Sequence, residues 1–86
     1  MDETIKKIRE FVKHRISQKE YEMIEENVKK NMIKFRGKFP NDIILLGTLM
    51  SGFERSNLID HFQNFDVPLT TVQEIYRFLE NEKIYD

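Results

Sequence analysis

Residues 42–54, DIILLGTLMSGFE, decide the fold of this chain. Ile43, Ile44, Leu45 and Leu46 are consecutive, and Leu49, Met50 and Phe53 continue the apolar character. Four apolar residues in a row fit a buried strand as well as a buried helix. The length of the stretch, and the lack of a partner strand elsewhere, select a helix. It is apolar nearly all round, which places it at the centre with the other elements packed about it. Gly47 and Ser51, four residues apart, offer one narrow face where a neighbouring helix can approach closely. The run is far short of the ~20 apolar residues that a membrane helix needs.

Upstream, Lys38-Phe39-Pro40-Asn41-Asp42 reads as the turn into that helix, with Asn41 or Asp42 as its cap. Before it lies a second helix with a strong start signal. Ser17 and Glu20 have the spacing of a capping box, and Ile16 and Tyr21 form the matching hydrophobic staple. The apolar stripe runs through Tyr21, Ile24, Val28, Met32 and Phe35, and Gly37 is the expected stop. The first helix is expected over residues 2–15, with Ile5, Ile8, Phe11 and Val12 inward and Asp2 and Glu3 favoured by the dipole of its first turn.

Downstream, a fourth helix is expected over about residues 56–65, with Leu58, Ile59, Phe62 and Phe65 inward. Asp66-Val67-Pro68 breaks it, because proline disfavours a helical residue before it. A fifth helix starts at Thr70 or Thr71, each with Gln73 or Glu74 three residues on as a capping-box partner. Val72, Ile75, Tyr76 and Leu79 form its stripe, Phe78 falls outside it, and Ile84 or Tyr85 could pin the tail. The expected fold is therefore all-α. About five short helices form an N-terminal antiparallel hairpin packed on a compact trihelical unit, in a single domain over residues 1–86.

Composition bounds the function. A chain of 86 residues buries only ~60% of its unfolded surface, enough for one core. There is no Cys, which excludes disulfides and thiolate metal sites and makes a cytoplasmic location the expectation. The charged N-terminus, MDETIKKIRE, lacks the apolar stretch of a signal peptide. Net charge is −1, but residues 1–40 hold eleven Lys or Arg against seven Asp or Glu, a net of +4. Residues 41–86 hold three against eight, a net of −5. The split suggests two faces with different partners or a head-to-tail self-contact, set against simple neutralisation within one domain.

Residues 57–79, NLIDHFQNFDVPLTTVQEIYRFL, resemble a helix-turn-helix. Phe65, Val67, Val72 and Ile75 match the apolar positions that lock such a pair across its turn. Asp66 stands where the turn usually has Gly, and Phe62 where the first helix usually has a small residue. The resemblance implies that Thr70, Thr71, Gln73 and Arg77 would read bases, with Lys29, Lys30, Lys34, Arg36 and Lys38 on phosphates. Residues 54–86, however, carry seven acids against three bases, the wrong balance for holding phosphates.

Signals for catalysis are absent from the sequence. His14 and His61 lie on separate helices without metal-ligand spacing, and no phosphate loop or nucleophile motif occurs. No cofactor, metal or membrane is expected. The leading expectation is a non-enzymatic protein-binding module, such as a small regulator, inhibitor or immunity-type protein. It would occupy a partner's surface, a basic one by charge, through Glu74, Arg77, Phe78, Glu80 and Glu82, with Phe78 as an exposed aromatic centre. The alternative is a DNA-binding regulator, dimeric in that case; a homodimer is also open to the protein-binding form.

Overall fold

The computed structural model describes residues 2–53 and 62–82. It is all-α, with helices α1 (Asp2–Lys13), α2 (Gln18–Lys34) and α3 (Asn41–Phe53). Helical residues 62–64 (α4) and a last helix, α5 (Leu69–Glu82), follow. No described helix is long and apolar enough to cross a membrane.

The predicted central helix is central. Ile43, Ile44, Leu46, Gly47, Thr48, Leu49 and Met50 of α3 are all buried, and α1, α2 and α5 each pack against it. Direction follows from which residues meet. Asn31 of α2 bonds Thr48, and Ile24 lies against Gly52, so α2 runs antiparallel to α3. Phe78, late in α5, lies against Gly47, while Phe65, just before α5, shares a cluster with Phe53 at the end of α3. Hence α5 is antiparallel to α3 too. Arg9 of α1 reaches Glu25 of α2, its Nη2 donating to both carboxylate oxygens at 2.9 and 2.6 Å. That bond holds the N-terminal hairpin and raises the Arg9 pKa against the opposing effect of partial burial.

The capping box at the start of α2 forms as predicted. The Glu20 N–H donates to Ser17 Oγ at 3.1 Å, and the Ser17 N–H donates to Glu20 Oε1 at 3.0 Å. Ile16 and Tyr21 pack against the core beside it. After α2 the chain turns at Gly37, whose φ of +82° favours a residue without a Cβ.

Two other caps differ from expectation. Helix α3 starts at Asn41 with the Pro40 carbonyl accepting from Ile43 and Ile44, and Asp42 Oδ1 accepts only from the adjacent Ile43 N–H. Helix α5 starts at Leu69, where the Pro68 carbonyl accepts from Val72. Thr70 and Thr71 therefore lie inside the first turn and cannot act as caps. A helix start needs no N–H from its cap, and proline's fixed φ suits entry into the first turn, so Pro68 begins the helix as well as breaking the one before.

The aromatic residues are used as packing. Phe11, Phe53 and Phe65 form an edge-to-face group where α3 ends, with Phe11 5.8 Å from Phe53 and 5.2 Å from Phe65. Phe35, Phe39 and Phe78 form a second group on the side where α3 begins, with Phe78 5.2 Å from Phe35 and 5.3 Å from Phe39. Phe62 is fully buried. The expected inward positions Leu58 and Ile59, and the tail residues Ile84 and Tyr85, lie outside the described residues.

Helix α5 approaches α3 closely at Gly47. A Cβ there would lie 2.5 Å from Phe78 Cδ2, whose ring is pinned by Phe35 and Phe39. Ser51, the expected second half of that narrow face, instead donates to the Thr48 carbonyl, and it is Gly52 that admits Ile24. Alanine at Gly47 gains ~1 kcal/mol of helix propensity but overpacks the site at ~1–3 kcal/mol. Gly47→Ala is therefore expected to lower the urea midpoint, and Gly47→Ala with Phe78→Leu to recover part of the loss. A second expectation concerns Glu20, whose carboxyl is held below its ordinary pKa by the Ser17 N–H and then by the Ser17 hydroxyl. A lowered pKa adds stability that is complete above the ordinary glutamate value and is lost as pH falls through the lowered one. Ser17→Ala keeps the backbone N–H and should cost ~1 kcal/mol with little dependence on pH, whereas the gap between wild type and Glu20→Ala in urea unfolding should narrow in acid.

Candidate protein-interaction surface

The residues predicted to bind a partner do not form one face. Phe78 is fully buried, against Gly47 and between Phe35 and Phe39, and cannot touch a partner. This corrects the exposed aromatic centre expected from the sequence. Phe78 looked external because it lies at one edge of the α5 stripe, but that edge is covered by the end of α2 and the turn after it. Glu74, one turn before Phe78, borders the same side and is half-buried. Arg77 and Glu80 are exposed, and the side chain of Glu82 lies outside the described residues.

The apolar feature of this surface lies on the other edge of α5. A groove of about 260 Å³ is lined by Gln63, Val67, Leu69, Val72, Gln73 and Tyr76. Val67 and Val72 form its buried floor, Tyr76 is half-buried, and Leu69 is 71% exposed. Leu69, Gln73, Tyr76 and Glu80 follow one another at spacings of four, three and four, so they share a line along the helix. Exposed Glu80 therefore lies one turn beyond Tyr76 on the same line, and exposed Asp66 precedes Val67 in the chain. Arg77 lies further round the helix. The sequence pattern places Tyr76 in the core stripe and gives Leu69 no role. The available signal was a leucine directly after Pro68, at the helix's first position and off the stripe.

The corner that shapes the groove is a helix C-terminus of Schellman type. The Val67 N–H donates to the Phe62 carbonyl at 3.1 Å and the Asp66 N–H to the Gln63 carbonyl at 3.1 Å. Buried Phe62 and Val67 supply the apolar contact that accompanies this motif. Asp66 occupies its left-handed position with φ +55°. The residue that departed from the helix-turn-helix pattern thus adopts the conformation for which that pattern uses Gly. Asp tolerates it better than most side chains. Val67, Val72 and Ile75 are buried as a locked turn requires, and Phe65 packs on Phe11.

The residues of the DNA alternative are spread more widely. At ~100° per residue, Thr70, Gln73 and Arg77 share an outward face, and all three are exposed. Thr71 turns toward the Phe78 side and is half-buried. Lys29, Lys30, Lys34, Arg36 and Lys38 are all exposed. Arg36 and Lys38 are chain neighbours of Phe35 and Phe39, the two rings that pack on Phe78. Thr70 is eight residues earlier on α5, ~12 Å along its axis, and the face it shares is turned roughly 100° from Phe78.

His14 is exposed and 3.3 Å from Glu10 on its own helix, and His61 lies outside the described residues. Among the described residues no group of three or more His, Cys, Asp or Glu could hold a metal ion. No protein-family model, curated protein or solved structure matches this chain.

The left-handed Asp66 gives a direct test of the corner. Asp66→Gly should stabilise the protein by ~0.5–1 kcal/mol, and Asp66→Val should destabilise it by ~1 kcal/mol or more, read from urea unfolding. Equal stability of all three would show that the turn does not hold a positive φ.

Proposed function

We propose that this chain is a non-enzymatic protein-binding module acting in the cytoplasm, and that its contact surface is the Val67–Leu69–Val72–Tyr76 groove with Arg77 and Glu80 beside it. The observation that carries the reading is an apolar groove with an exposed Leu69; exposed Asp66 precedes its Val67 in the chain, and exposed Glu80 lies one turn beyond its Tyr76. Such a groove suits an apolar side chain that stands among Lys or Arg on its own protein. Burying one such side chain is worth ~1.5–3 kcal/mol, and complementary charge adds mainly to the rate of encounter and to specificity. A small regulator, inhibitor or immunity-type protein fits this surface, because occupying a partner requires no reaction chemistry.

The same placement supports the choice of a protein partner over DNA. The outward face of Thr70, Gln73 and Arg77 has one base, and the basic cluster lies on α2 and the turn after it, whose Phe35 and Phe39 pack on the Phe78 side of α5. Phosphate neutralisation, the main source of DNA affinity, would then come from residues that do not flank the base-reading face.

Short peptides with a central Leu flanked by Arg should shift the backbone amide signals of Val67, Leu69, Val72 and Gln73. Peptides with Leu flanked by Glu should bind about tenfold more weakly, and Leu69→Lys should abolish the shifts. If neither peptide moves these signals, or if Leu69→Lys binds as well as wild type, the groove is not a binding site.

A further inference from the structure

We infer that the groove on α5 takes Ile33 from a second copy of this chain, in a head-to-tail contact. This rests on the groove being a protein-binding site, as proposed above, and names its occupant. Ile33 is 73% exposed, on the side of α2 opposite the buried Ile24, Val28 and Phe35. Lys29 and Lys30 lie one turn before it, Lys34 beside it and Arg36 just beyond, all exposed. It is an apolar side chain set among cations, the chemistry that suits an apolar groove with exposed Asp66 beside Val67 in the chain and exposed Glu80 one turn beyond Tyr76.

The two features point toward different ends of the molecule. Ile33 is near the C-terminus of α2, and Asn31 already pairs with Thr48 in the first part of α3. Val67 and Leu69 lie at the other end, next to Phe65, which packs with Phe53 where α3 finishes. A contact that is not exchanged reciprocally is heterologous, and each added copy then leaves one Ile33 and one groove open. The overall charge division of +4 in residues 1–40 and −5 in residues 41–86 then acts between copies as well as within one.

Sedimentation equilibrium of the full chain tests this, with Ile33→Glu and Leu69→Lys as variants. Both side chains are exposed, so folding should be retained, and circular dichroism checks it. Wild type should show a mass above monomer that rises with concentration up to about 1 mM and falls with added salt. Each variant alone should be monomeric. An equal mixture should form dimers and nothing larger, because Ile33→Glu keeps its groove and Leu69→Lys keeps its Ile33. A monomeric wild type at about 1 mM and low salt overturns the inference. So does association that survives in either variant, or a mixture that stays monomeric. The Arg-flanked peptides separate the two claims. Peptide shifts with a monomeric wild type leave the groove a binding site for another protein, whereas loss of both removes the site itself.

Discussion

The need to cover α3 on every side governs the rest of the structure. A helix with Ile43, Ile44, Leu46, Leu49 and Met50 all buried cannot lie on a surface, and α1, α2 and α5 must each give it an apolar face. In so short a chain that demand draws in nearly every large apolar side chain. Phe78 is drawn in with the rest, seated against Gly47. What the core leaves exposed among the described residues is Met23, Ile33, Leu69 and the outer edge of Tyr76.

The parts of this fold that could be read from the sequence are the parts fixed locally. The Ser17–Glu20 box and the α2 stripe depend on residues within a turn of one another, and they form as read. The central position of α3 was legible because its composition leaves no alternative. Phe78 was misread because its burial depends on Gly47, Phe35 and Phe39, which are distant in sequence. The presence of a glycine in an apolar helix was nevertheless a sign that some large side chain must fill the notch. The starts of α3 and α5 were misplaced because side-chain cap rules weigh Asn, Asp and Thr, whereas here the backbone carbonyls of Pro40 and Pro68 accept the first helical bonds.

The candidate site was legible in its element and its charge, and not in its residues. Helix α5 and its exposed Arg77 and Glu80 were anticipated. The groove itself needs the corner at Asp66 to bring Val67 and Gln63 beside α5, and that geometry comes from a Schellman closure in which Asp holds a position usual for Gly. A departure from a motif's usual residue was therefore compatible with the motif's shape.

A helix that is apolar all round has no preferred rotation about its own axis on hydrophobic grounds, since any face is equally content inside. For α3 the setting has to come from elsewhere. Gly47 receives the Phe78 ring, Gly52 receives Ile24, and Thr48 accepts from Asn31 at 2.8 Å. Two notches and one polar peg on different sides of α3 act as a key in a lock, so α2 and α5 are clocked about a common shaft. The angular relation between the basic outer side of α2 and the groove of α5 is thus set by two glycines and a threonine on the helix between them.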